Sequence, residues 1–366
     1  MEIKRKNIKT AHGSIITPAF LPDATRGYIK TLDNNDLKKV GVKSMVVNTY
    51  HLYLQPGLKV IKKAGGIHNF MNWQGPLISD SGGYQVFSLI YKNPEMGKIF
   101  NDKVVFKSPL DGSKHELTPE KSIQIQFDLG TDVMICLDDC PPNDSNEKLL
   151  KLSVERTISW AKKCKQEYER QIKKRKNKNK IKPKLIAVVQ GGTNFNLRKY
   201  CLEELLKIGF DGYGFGGRHI DSKGKIMLKM LKFTADLIPD NLIKFALGIG
   251  APKDIVICAE LGWNMFDCVM PTREGRHGKL FFHNSTKRNK NSFKTINIKN
   301  SIYKSDLKPI NSLSRLPELK NNSKAYLHHL FKTEGGQGGK LASLNNLEFY
   351  FILIDSLVKN IKSNLI

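Results

Sequence analysis

Short apolar runs recur along the chain, separated by longer stretches whose apolar positions return every three or four residues. The short runs, at residues 18–21, 44–47, 77–79, 133–137, 185–189, 212–215, 245–247 and 265–267, have the length and bounding of strands. The stretches at 147–170, 197–208 and 223–237 read as helices. Strands alternating with helices imply parallel βαβ units. Eight of them predict an α/β fold, specifically a (β/α)8 TIM barrel, with its working groups at the C-terminal strand ends. The third and fourth strands are unusually far apart, so residues 91–119 are expected to be an insertion with a strand of its own near 104–108. Beyond the eighth strand, residues 325–332 and 344–361 again have helical spacing. The expected division is a catalytic barrel over 1–285 and a small helical appendage over 286–366, packed on the barrel.

Charge adds a partner class. The 366 residues carry 60 Lys and Arg against 34 Asp and Glu, a net +26. Such an excess suits a polyanion, with nucleic acid first and an acidic membrane surface second, although an abundance of Lys and Asn also marks compositional drift. Basic residues concentrate at 170–184 and 287–304; the first run is expected to end a helix and continue as a solvated loop. The six cysteines include no C-x-x-C pair and read as reduced thiols of a cytoplasmic protein. No signal peptide or membrane span is expected.

The strand ends carry the chemistry. Asp80 follows the third strand, and Asp138 and Asp139 the fourth. Gln190-Gly191-Gly192 follows the fifth, Gly216-Gly217 the sixth and Gly248-Ile249-Gly250 the seventh, while Asp267 ends the eighth. On a barrel all of them converge on one mouth. A carboxylate, an amide side chain and exposed backbone N–H groups can read the edge of a purine-like base. Two further carboxylates are then left for nucleophilic and proton-transfer work. Each also has a plainer reading: Asp80 as the cap of a helix beginning at Gly82-Gly83, and Asp267 as a buried structural acid.

With these residues in hand, the chain resembles the tRNA-guanine transglycosylase (queuine tRNA-ribosyltransferase) family, in its bacterial form, from about residue 12 to the C-terminal helix. The resemblance is carried by Asn48-Thr49-Tyr50-His51-Leu52, residues 79–87, Asp111-Gly112-Ser113, Val189-Gln190-Gly191-Gly192, Phe210-Asp211-Gly212-Tyr213, Gly216-Gly217, residues 265–276 and residues 324–330. It implies exchange of the wobble guanine of a tRNA for a 7-deazaguanine, in queuosine modification. Asp267 would be the nucleophile at the ribose C1′, and Asp80 the acid/base. Ser81, Gly82, Gly83, Tyr84, Asp138, Gln190, Gly216, Gly217 and Leu247 would hold the base, with Tyr84 and Leu247 sandwiching its ring. Gly248, Ile249, Gly250, Ala251, Pro252, Lys253 and Asp254, with Thr272, Arg273, Glu274, Gly275 and Arg276, would form the segments facing RNA. A homodimer is also implied.

The sequence departs from the family in two places. Family members hold zinc in the appendage through three cysteines and a histidine. Here those positions fall on Ser314, Leu316, Leu319 and Asn345, so no metal and no other cofactor is expected, with Leu316 and Leu319 packing in its stead. Arg218 and His219 stand where small or apolar residues are usual. By resemblance, Cys140 and Ile220 suit 7-aminomethyl-7-deazaguanine better than bulky queuine. A catalytically silent tRNA-binding partner subunit, and a queuine-salvaging enzyme of the same family, remain the alternatives.

Overall fold

The computed structural model of the chain describes residues 5–143, 145–175, 181–284, 293–333 and 336–363, with side chains to residue 358. Lys176, Lys178 and Lys180 of the first basic run, residues 287–292 of the second, and the expected boundary at 285/286 lie outside them.

The barrel strands are β1 (Ala19–Pro22), β2 (Met45–Val47), β3 (Leu77–Ser79), β4 (Val133–Ile135), β5 (Lys184–Val189), β6 (Gly212–Phe215), β7 (Ile243–Ala246) and β8 (Met265–Cys268). All pair in parallel in the ring order β1-β8-β7-β6-β5-β4-β3-β2. A parallel bridge from Asp23 to Val46 brings β1 back to β2. The fold is therefore the (β/α)8 barrel that the alternation predicts.

Side-chain alternation builds two cores. Leu21, Val46, Ile78, Val133, Ile135, Ile186, Val188, Ile243, Phe245 and Met265 form one apolar cluster inside the ring. Their neighbours, such as Leu185, Ala187 and Val189, face outward into a second cluster beneath the helices. Ile8 and Ile15 join the inner cluster from an antiparallel hairpin, Asn7–Thr10 with Gly13–Ile16, which plugs the N-terminal end. At that end His12 Nδ1 lies 2.9 Å and His68 Nε2 3.3 Å from the buried carboxylate of Asp132, the two rings stacked 3.6 Å apart. The Leu77 amide donates to the same carboxylate at 2.9 Å.

Element edges differ modestly from expectation. The seventh strand begins at Ile243, earlier than 245, and leaves Leu247 just past its end. The helix expected over 223–237 starts at Leu228. The Asp221 carboxylate takes the amides of Lys223 and Lys225, which turns the chain before the helix can begin. The insertion is a three-stranded antiparallel sheet, Gly97–Ile99, Val104–Lys107 and Lys114–Leu117.

Six helices position the site: α1 (Gly83–Lys92), α2 (Glu147–Lys174), α3 (Phe195–Ile208), α4 (Pro252–Glu260), α5 (Met270–Arg276) and α6 (Gly336–Ser363). Residues 336–358 of α6 are apolar and long enough to cross a membrane, yet most of them are buried within the protein. It is a core helix. Asn346 of α6 donates to the Pro271 and Lys279 carbonyls and accepts from the Phe281 amide. The Tyr350 hydroxyl donates to the Gly250 carbonyl at 2.5 Å. Gly275 has no room for a side chain against α6: a Cβ there would lie 2.8 Å from the Ser343 nitrogen. So α6 carries the segments that follow β7 and β8.

Candidate active site

The inward register of each strand continues into the mouth. Asp80 lies two residues beyond Ile78, Gln190 two beyond Val188, Leu247 two beyond Phe245 and Asp267 two beyond Met265, each of those four apolar residues being in the inner core. Strand alternation therefore turns all four side chains inward.

Asp80 is held by groups from the β2 end and from its own loop. Asn48 Nδ2 donates to Oδ2, the Thr49 amide donates to Oδ1 at 2.8 Å, and the Gly82 amide donates to Oδ1 at 3.2 Å. Burial raises its carboxyl to about 7; the Thr49 and Gly82 amides pull it down, and the charges of Asp23 and Asp267 push it up. The Gly248 amide donates to Asp267 Oδ1 at 2.9 Å. Burial raises Asp267 to about 7 as well, against the pull of that amide, with Asp23 adding to the rise. The two acids thus sit close enough to feel each other and titrate where proton transfer near neutral pH is efficient.

Asp138 is buried on the next arc. Gln190 Nε2 donates to its Oδ2 at 2.6 Å. Burial lifts Asp138 to about 7, opposed by Gln190 and helped by the charge of Asp139. The adjacent acids have separate tasks. Asp139 turns away to a buried ion pair with Arg156, 2.5 Å from Nη1, while Asp138 faces the mouth.

Arg198 of α3 sets the floor. It is fully buried, donates to the carbonyls of Val189 and Gly192 at 2.9 and 2.8 Å and of Gly216 at 3.2 Å, and lies over the Phe215 ring. One side chain so fixes both glycine turns. The Asn143 side chain brackets residue 218, donating to its carbonyl at 2.6 Å and accepting its amide at 3.3 Å. A Cβ on Gly216 would lie 2.6 Å from Gln190 Nε2, and one on Gly217, at φ +83, 2.6 Å from Asn143 Oδ1.

The remaining expected site residues divide by exposure. Ser81 is buried, its hydroxyl accepting the Gly83 amide at 3.2 Å. Tyr84 is 56% exposed on the first turn of α1, and Leu247 is half-buried beside Gly214. Gly248, Lys253 and Arg273 are exposed; Ala251, Asp254, Glu274 and Arg276 are half-buried. Ile249, Gly250, Pro252, Thr272 and Gly275 are buried and shape those segments from beneath. Arg218 is exposed, and His219 lies 3.4 Å from Asp254.

At the positions where the family resemblance implies zinc ligands, the chemistry is that of hydrogen bonds and apolar contact. Leu316 and Leu319 are buried among apolar side chains. Ser314 Oγ donates to Glu348 Oε2 at 2.5 Å, and the Arg315 amide donates to Oε1 at 2.7 Å. Asn345 accepts from Asn311 Nδ2 at 2.9 Å and donates to the Phe281 carbonyl at 2.9 Å. Two leucines, a hydroxyl and an amide are not a donor set for zinc.

Asp23, Asn48, Asn143, Arg156 and Arg198 received no role from the sequence. For Asp23 the signal was present: it stands two residues beyond Leu21, in the same inward register as the acids that were found.

Fold and site together define a barrel enzyme whose mouth gathers two buried carboxylates, Asp80 and Asp267, and a bonded carboxylate–amide pair, Asp138 and Gln190. Comparison with known proteins narrows this. Residues 2–365 match the family described as queuine tRNA-ribosyltransferase, and the chain belongs to that family. It is similar to relatives of that name from Halothermothrix orenii (39% identical, covering 98% of this chain and 90% of the relative) and Methylacidiphilum infernorum (40%, covering 97% and 89%). Another, from Francisella tularensis subsp. novicida, is 39% identical, covering 97% and 91%.

Proposed function

We propose that the chain is a pentosyltransferase that exchanges the guanine at the wobble position of tRNA for a 7-deazaguanine, in queuosine modification. Family membership over nearly the whole chain supports it. The observation that carries it is the single mouth shared by Asp80 and Asp267 on one side and the Asp138–Gln190 pair on the other.

The steps balance as two displacements. An Asp267 carboxylate oxygen bonds to the ribose C1′, the C1′–N9 bond breaks, and its electron pair stays on guanine, which takes a proton from Asp80. The incoming base then gives its N9 proton to Asp80, attacks C1′ and frees Asp267. Inversion twice at one carbon retains configuration, as in retaining glycosidases. Asp138 accepts from the N–H and amino groups of the base edge, for which Gln190 must yield its present bond or use the neighbouring oxygen. Gln190 and the Gly217 amide serve the base carbonyl. The ring rests between Tyr84 and Leu247. In this reading Lys253, Arg273 and Arg276 meet RNA phosphates.

The base is taken to be the small 7-aminomethyl-7-deazaguanine, which Cys140 and Ile220 suit by the family resemblance. The C-terminal segment works without metal, its zinc positions taken over by Leu316 and Leu319 and by the Ser314–Glu348 and Asn311–Asn345 bonds. The test is incorporation of radiolabelled guanine into tRNA with a wobble guanosine, by the parent and by Asp267→Ala. Incorporation by the parent alone supports the exchange. Binding of tRNA with no incorporation by the parent would make the protein a silent partner subunit.

A further inference from the structure

The mouth holds a fourth inward-facing acid, besides Asp80, Asp138 and Asp267. Asp23 follows β1 and continues its inward register from Leu21. In the ladder, Asp267 of β8 pairs with Leu21 and Cys268 with Pro22. On the other side, Asp23 bridges Val46, two residues before the Asn48 that donates to Asp80. Around the rim the order is therefore Asp267, Asp23, Asn48, Asp80. The base-reading residues follow β4, β5 and β6, on the opposite arc.

This order fixes where a nucleotide's sugar goes. With C1′ at Asp267 and the base reaching across to Asp138 and Gln190, the ribose lies over the arc from β8 to β2. Asp23 is at the centre of that arc. It is half-buried, and Thr25 Oγ1 donates to its Oδ1 at 2.9 Å. Among the described residues no cation pairs with it, although Asp80 and Asp267 both feel its charge. An acid kept half-desolvated beside two others, with one hydroxyl for a side-chain partner, is costly unless a ligand supplies donors. A ribose supplies two adjacent hydroxyls, and a carboxylate has acceptor sites for both.

Resting on the exchange reaction above, we infer that Asp23 is a specificity-determining residue that accepts the 2′-hydroxyl, together with the 3′-hydroxyl, of the ribose attacked by Asp267, and so selects RNA over DNA at that nucleotide. The bond also strengthens during reaction: charge builds on the sugar as the glycosidic bond breaks, and hydrogen bonds to the hydroxyl next to the reacting carbon tighten with it.

The test compares an RNA hairpin carrying a wobble guanosine with the same hairpin carrying 2′-deoxyguanosine at that one position, for the parent, Asp23→Val and Asp23→Asn. The parent is expected to prefer the ribose substrate. Asp23→Val should lower kcat/KM on the ribose substrate by about tenfold or more and leave the deoxy substrate within about threefold of the parent, so that the preference collapses. Asp23→Asn, which keeps the shape and one acceptor, should lie between, and it decides the matter if the valine variant does not fold. An unchanged preference in the variants overturns the assignment, as do equal losses on both sugars with a shifted pH profile, which would give Asp23 a purely electrostatic role. Absence of exchange by the parent on either hairpin and on tRNA would instead sink the proposed reaction, and this inference with it.

Discussion

Gln190 Nε2 donates to Asp138 Oδ2 at 2.6 Å, joining the ends of β5 and β4, which are neighbours in the ring. The pair is complementary before any ligand arrives: a carboxylate that only accepts, and an amide that both donates and accepts. A base presenting two donors beside a carbonyl matches it, and one with the reverse pattern leaves buried groups unpaired.

Asp138→Asn tests that match. Replacing an acceptor-only group by an amide sets a donor against the base's donors. We expect kcat/KM for guanine exchange to fall by about 10³-fold or more, the scale on which polar sites reject mismatched ligands, measured by labelled-guanine incorporation with tRNA binding retained.

The stability of the protein should depend on pH through its buried acids. An unfolded aspartate titrates near 3.9, whereas Asp267 in the fold titrates at about 7. The native state therefore holds this proton more tightly, and the group's contribution to stability is present below about pH 4 and lost as pH rises through about 7. Asp267→Asn removes the penalty. Calorimetry should find its Tm about 2 °C or more above the parent's at pH 8, the gap closing toward pH 5, with exchange activity abolished. Equal Tm values at pH 8 would contradict the burial argument.

Gly217→Ala adds a methyl group 2.6 Å from Asn143 Oδ1 at a residue with φ +83. Left-handed strain and that contact together cost roughly 1–2 kcal/mol and must be relieved by moving the Gly217 amide. The KM for the free base should rise about tenfold while kcat changes less, because in the proposed reaction the displaced group serves the base and not C1′. Steady-state kinetics with varied base concentration read this directly.

Glu348→Ala probes the C-terminal segment that we propose works without metal. The change leaves the Ser314 hydroxyl and the Arg315 amide without their acceptor. A loss of about 1–3 kcal/mol is expected from denaturant unfolding. Chelator, by contrast, should leave the parent's unfolding midpoint unchanged, and a drop on adding EDTA would restore a metal to this segment.

Much of this site was legible because strands alternate with helices. The sequence finds Asp80, Gln190 and Asp267 as polar residues at strand ends, and the structure adds that each lies two residues beyond an inward-facing one, Ile78, Val188 and Met265. Asp23 obeys the same count but sits after Pro22, where the apolar run has already stopped, and the first strand was read as ending at residue 21. Arg198 was out of reach for another reason. It lies on a helix face, and nothing in the spacing of 195–208 shows that its guanidinium passes beneath two loops to collect three carbonyls. The N-terminal hairpin was missed because its strands are four residues each, with Asn7, Lys9, Gly13 and Ser14 diluting the pattern. Tertiary closure of the barrel end gives Ile8 and Ile15 their place.

The position of α6 has a consequence for biosynthesis. This helix braces α5 and ties down Gly250 through Tyr350, yet it lies beyond all eight strands in the chain. A polypeptide leaving the ribosome amino end first exposes its whole ring of strands before the brace exists. The nascent barrel then lacks the cover that Phe349 and Tyr350 give to Phe281, so competence should arrive late and abruptly in translation, and premature stops within residues 336–358 should yield aggregates instead of a weakened catalyst.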